Sequence, residues 1–193
     1  MANQTKIPTQ VRAINTKKLI IETAFKSFQK YGYKKTTTPK IAKTAKVSTG
    51  IVYTYFKDKK ELFELWLNAM LENCDTYFYN QFKLLDYNVE LSFILSNILE
   101  KLYDNFFSSP ILNEKGDAYI EKKLLIFYEK AQSIFINCCF EANLMIKNPN
   151  ETARVLFVLI YSYSVDLKNN NLKINKETLK NRYIHAIESL LKN

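Results

Sequence analysis

Glycine is nearly missing from this chain: there are three in 193 residues, with four prolines beside them. So little of either leaves scant material for tight β-hairpin turns, whose positive-φ positions call for glycine. It also leaves no glycine-rich loop to cradle a nucleotide's phosphates. Histidine is rarer still, with His185 alone, so no His-based metal cluster can be built. The three cysteines, Cys74, Cys138 and Cys139, include an adjacent pair without the spacing of a zinc site and badly placed to bridge a loop. No disulfide framework is implied, and a reducing cytoplasm fits. Long hydrophobic runs are lacking too. The longest, VLFVLIYSYSV at 155–165, is far short of the ~20 residues that span a bilayer, and the N-terminus has no signal-peptide run. No Ser-His-acid or Cys-His arrangement stands out. These absences lead us to expect an all-α cytoplasmic protein that is not an enzyme, holds no metal or cofactor, and has no membrane partner.

What is present is positive charge, and it is unevenly placed. Residues 1–66 carry 14 Lys/Arg against 4 Asp/Glu, whereas residues 67–193 carry 14 against 15. The whole excess therefore sits in the first third of the chain, joined to a neutral body. That is the electrostatic footprint of a polyanion binder. Charge alone does not separate nucleic acid from an anionic surface, so the local pattern has to decide.

The first helix is expected over about 12–31, with Ile14, Ile21, Ala24, Phe25 and Phe28 on one buried face and Gly32 as its C-terminal stop. Thr37 is placed to cap a short helix at about 38–45, with Pro39 tolerated in its first turn and Ile41, Ala42 and Ala45 facing inward. Ser48 is placed to cap a second short helix, about 49–55. Asp58 with Glu61 three residues on forms a capping box for a long helix from Lys59 to about Phe82. Two short helices joined by a three-residue turn and held between longer ones describe a helix-turn-helix, whose second helix enters a major groove by its N-terminal end. Gly50 falls in the first turn of that helix, where a missing side chain lets backbone amides meet a phosphate or base edge. Thr49 offers a hydroxyl there. Tyr53 and Tyr55 offer phenols, which fix register by bonding phosphate oxygens. Lys59 adds charge to a helix N-terminus already suited to anions.

The stretch GYKKTTTPKIAKTAKVSTGIVYTYFKDKKEL, residues 32–62, resembles the amino-terminal signature of the TetR family of bacterial transcriptional regulators. The match runs through Gly32, Thr36, Thr37, Ile41, Ala42, Ala45, Val47, Ser48, Gly50, Tyr53, Tyr55, Phe56, Lys59 and Leu62 in fixed register. One position departs: Lys46 stands where the family usually has a turn glycine. A left-handed backbone there costs lysine about 1–2 kcal/mol, unless the turn is rearranged. Arginine, the commonest reader of guanine, appears in the basic third only as Arg12, in an N-terminal arm. Base readout then falls to Lys46, Thr49, Tyr53 and backbone amides, or to DNA shape. The DNA-binding set read from the sequence is Thr37, Lys46, Ser48, Thr49, Gly50, Tyr53, Tyr55 and Lys59.

The expected organisation is a helix-turn-helix domain at 1–58 and a larger helical domain at 59–193. Further helices are expected at about 88–107, 110–114, 118–145, 149–168 and 176–192. The resemblance implies that the second domain binds a small effector and makes a homodimer, and that the protein acts as a repressor on double-stranded DNA. Residues 155–165 are apolar nearly all round, which favours a partner subunit against the last two helices. Aromatic side chains crowd this region. A pocket lined by Trp66, Met70, Tyr103, Phe107, Phe127, Phe135 and Tyr161 would suit an apolar or aromatic effector, with Asp75 and Glu129 available to a cationic one. The competing readings are a basic protein that coats DNA without sequence preference, and a helical protein-interaction module.

Overall fold

A computed structural model describes residues 9–104, 108–114, 116–168 and 174–192. Among them every regular element is helical. Eight α-helices run in order: α1 (Thr9–Lys35), α2 (Thr38–Thr44), α3 (Thr49–Tyr55), α4 (Lys59–Phe82), α5 (Leu91–Leu102), α6 (Ala118–Glu141), α7 (Pro149–Lys168) and α8 (Lys176–Lys192), with short 3-10 turns at Lys83–Tyr87 and Pro110–Asn113. None of the described helices is long and apolar enough to cross a membrane. The chain forms two compact units, which part within α4, after Leu67. The segment Ser109–Glu114 belongs to the first unit although the residues on either side of it belong to the second.

In the first unit, α1 buries Ile20, Ala24 and Phe28 completely. Ala24 and Phe28 of the expected face are buried as read, but Ile20 takes the place given to Ile21: Ile21 and Phe25 are half-buried and Ile14 is 59% exposed. Periodicity admits both rows, and packing selects the one spaced i, i+4, i+8. Phe28, Tyr33, Phe63 and Trp66 form an aromatic core, with Phe63 5.4 Å edge-on from Phe28 and 4.8 Å from Tyr33. Each such ring contributes roughly 1.5–3 kcal/mol by leaving water. α1 is interrupted at Gly32, whose φ of 77° lies in the left-handed region, and Thr36 Oγ1 donates back to the Gly32 carbonyl at 2.6 Å.

Capping accounts for the short helices. Thr37 accepts from the Lys40 amide at 3.4 Å, and Ser48 from the Ile51 amide at 3.2 Å. At the start of α4, Asp58 accepts from the Glu61 amide at 3.0 Å. Glu61 reaches back past Asp58 to the Lys57 amide at 2.7 Å.

The second unit departs from expectation at both ends of α5 and at the end of α6; α5, expected to run to 107, ends at Leu102, and residues 105–107 lie outside the described residues. α5 begins at Leu91 and not near 88, because the chain first makes the turn at Lys83–Tyr87 and passes through a left-handed Asn88 (φ 58°). α6 stops at Glu141, short of 145. Asn143 is left-handed there (φ 55°), and the Leu144 amide closes on the Cys139 carbonyl at 2.9 Å, a bond that terminates helices. Phe78, Phe82 and Phe135 pack edge-to-face in the core. α5 and α8 are tied by Lys180, whose ammonium lies 3.1 Å from Glu100 and 3.0 Å from Glu177. All three cysteines are buried.

Candidate nucleic-acid interface

α2 is held inward by Ile41 and Ala42, each no more than 2% exposed. The turn into α3 keeps its left-handed residue: Lys46 has φ 56°, the Lys46 amide bonds the Lys43 carbonyl at 3.2 Å, and the Val47 amide bonds the Ala42 carbonyl at 3.0 Å. Lysine therefore sits in the glycine conformation with its side chain exposed.

α3 buries only Val52, with Thr49 and Tyr55 half-buried. Gly50, Ile51, Tyr53 and Thr54 face outward, Tyr53 at 54% exposure. A seven-residue helix that buries one side chain takes little stability from packing, so most of its surface is available to something else. A Cβ built on Gly50 would meet nothing nearer than Ser48 Oγ at 3.8 Å. Packing inside the unit therefore does not account for this glycine.

Thr37 and Ser48 are exposed cap residues whose hydroxyls already accept backbone N–H groups. Lys35, Lys40, Lys43, Lys46, Lys57 and Lys60 are exposed along the same stretch of chain. Thr54, which the sequence reading passed over, is exposed and donates to the Gly50 carbonyl at 3.1 Å. Only its position on the outward face of a helix already assigned could have marked it. Lys59 has a different place from its neighbours. Its ammonium donates to the Tyr33 and Thr36 carbonyls, both at 2.9 Å, and lies 3.7 Å from the centre of the Tyr33 ring. It clasps the start of α4 to the end of α1.

The residues expected to line an effector pocket divide between the two units. Trp66 packs in the first unit's core, 5.9 Å from Phe28 and 5.6 Å from Phe63. Met70, Phe127 and Phe135 are buried in the second unit, while Tyr161 is 42% exposed on α7. Tyr103 is half-buried and 6.5 Å edge-on from Tyr163, whose buried hydroxyl has no hydrogen-bond partner among the described residues. Phe107 lies outside the described residues. Asp75 and Glu129 do share a site: with Leu71, Glu72 and Ile134 they line an open groove of about 450 Å³.

An outward-facing second helix, a preserved turn and a basic surround define the helix-turn-helix class. Residues 20–65 match the family model described as bacterial regulatory proteins, tetR family. The chain is 30% identical over 137 residues to the HTH-type transcriptional regulator QacR of Staphylococcus aureus, covering 60% of this chain and 71% of that one. It belongs to the TetR family of transcriptional regulators. An uncharacterized HTH-type transcriptional regulator of Bacillus subtilis, YhgD, is 48% identical over 60 residues, 31% of each chain; the first curated relatives are thus matched over less than a third of their own length. Among solved structures, GusR of Salmonella enterica superposes with a TM-score of 0.68 at 17% identity, covering 98% of this chain and 100% of that one. That likeness establishes a shared fold.

Proposed function

We propose that this chain is a ligand-responsive transcriptional regulator that binds a near-palindromic operator as a homodimer, acting as a repressor. The observation that carries the reading is the first turn of α3. There an outward glycine with open space above it is flanked by Lys46, Ser48, Thr49 and Tyr53 on a strongly basic unit. Gly50 admits the DNA backbone, Thr49, Tyr53 and Tyr55 bond phosphates or base edges, and Lys46 supplies charge. Thr37 and Ser48 stand at helix starts, where amides address phosphates. Lys59 contributes by holding α4 against α1.

In this reading residues 1–58 carry the DNA contacts and residues 59–193 bind the effector and the second subunit. Val155, Val158 and Tyr161, three residues apart on α7, are 44%, 65% and 42% exposed. That apolar stripe supports a partner across the last two helices. The buried Tyr163 hydroxyl beside Tyr103, without a partner among the described residues, supports an effector carrying one polar atom on a largely apolar body. The two recognition helices would address major grooves about 34–36 Å apart.

The test is selection from a random duplex-DNA pool at physiological salt, with sequencing of the retained fraction. Enrichment of two inverted half-sites is the expected result. Retention with a steep salt dependence and no motif would replace the operator reader with a charge-driven coating protein.

A further inference from the structure

We propose that Glu114 is a positioning residue for the DNA-reading unit, holding the turn that carries α2 and α3 although it lies far from them in sequence. The inference rests on the operator-binding reading above. Three observations converge on it. Ser109 and Ile111 are completely buried, and the Ser109 hydroxyl donates to the Phe28 carbonyl of α1 at 3.2 Å. The Glu114 carboxylate accepts the Lys34 amide with both oxygens, at 2.9 and 3.1 Å, across 80 residues of sequence. Finally, the Gly32 turn is shaped to receive it: a Cβ on Gly32 would collide with the Glu114 carboxylate, and the glycine's positive φ is one that side chains disfavour.

The chemistry explains why an acid serves here. Past Gly32 the backbone leaves the regular helix, so the Lys34 amide needs an outside acceptor. A carboxylate accepts more strongly than a neutral oxygen. The turn it holds leads directly through Thr36, whose hydroxyl returns to Gly32, into the Thr37 cap of α2. The DNA-reading unit is therefore a composite. Its last turn of α1 is braced by a segment that follows Ser108 of the second unit. Whatever displaces that segment loosens the helix-turn-helix.

The experiment compares the full-length wild type with Glu114→Ala and Glu114→Gln, using the duplex recovered by selection. Amide exchange is followed across residues 32–40 and affinity is measured at fixed salt. For Glu114→Ala, exchange at Lys34 should accelerate about threefold to tenfold. Affinity should fall by a similar factor, while the dimer and total helicity stay unchanged. Glu114→Gln keeps one acceptor oxygen and should recover most of both. Faster exchange with unaltered affinity would leave Glu114 a structural brace only and overturn the proposal. So would unaltered exchange, or a glutamine variant as impaired as alanine. A wild-type chain that retained no duplex at all would instead remove the operator-binding reading on which the proposal stands.

Discussion

Replacing Gly50 with alanine should raise stability and lower DNA affinity at once, and the opposite signs are what make the substitution informative. A methyl group there reaches only Ser48 Oγ at 3.8 Å, an ordinary contact, and the backbone is not left-handed. Alanine is favoured over glycine by ~1 kcal/mol in a helix interior. The first turn realises only part of that, so a gain of about 0.5 kcal/mol is expected, or ~2–4 °C in the midpoint of a unit this small. The readout is convenient, because the chain's single tryptophan, Trp66, lies in the core of this same unit. Against the duplex the same methyl is an intrusion. If the DNA backbone packs on Gly50, overfilling that contact costs about 1–3 kcal/mol, a loss of roughly 5- to 150-fold in affinity. The assay pairs tryptophan-detected unfolding with an anisotropy titration of the selected duplex at one salt concentration. Unchanged affinity would place Gly50 away from the DNA. A lowered midpoint would refute the claim that nothing inside the protein occupies that space.

Three other outcomes follow from the geometry. Lys46→Gly should stabilise the first unit by about 0.5–1 kcal/mol by removing a left-handed lysine. It should also make the salt dependence of log affinity shallower by ~0.9; an unchanged slope would take Lys46 out of the phosphate contacts. Lys59→Met should destabilise the unit by about 2 kcal/mol in urea unfolding, since two carbonyls lose their donor, whereas Lys57→Met should stay within about 0.5 kcal/mol. A loss as small for Lys59 would contradict its role as a clasp. Burial raises the Cys74 and Cys138 thiols from 9.0 to about 11, with nearby acidic groups adding to the effect at Cys138. The folded chain then keeps protons that the unfolded chain releases, so these thiols leave stability unaffected below pH 9. As pH rises from 9 toward 11 they should lower it by up to ~1.4 kcal/mol per pH unit for each thiol. Urea midpoints that stay flat between pH 8 and 10.5 would contradict this.

Much of the first unit could be read from sequence because its determinants are local. Thr37, Ser48 and Asp58 each cap a helix within three residues, so the spans of α2, α3 and the start of α4 follow from short windows. The spans expected at 149–168 and 176–192 likewise match α7 and α8. The misjudged ends of α5 and α6 have the opposite character. Asn88 and Asn143 terminate structure by adopting a positive φ, which asparagine allows without requiring. Lys46 does the same, and there only the resemblance to a family with glycine at that position gave warning.

The two readings that sequence could not resolve share one physical cause, which is that distance along the chain hides which groups meet. Trp66 and Phe135 look alike as buried aromatics on helices, yet one completes the core around Phe28 and the other packs on Phe78 and Phe82 in the second unit. Composition could only nominate both for the same pocket. Glu114 offers the converse case: an unremarkable acid after a proline-led turn, 80 residues from the amide it accepts. Gly32 carried half of that signal. Its role as a helix stop was evident from its position, but a stop alone would tolerate any solvent-facing partner. The carboxylate seated where a Cβ would be turns this glycine from a punctuation mark into a socket. The unit that presents α3 is therefore defined by contacts and not by its stretch of sequence, and residues 109–114 belong to it as fully as the signature does.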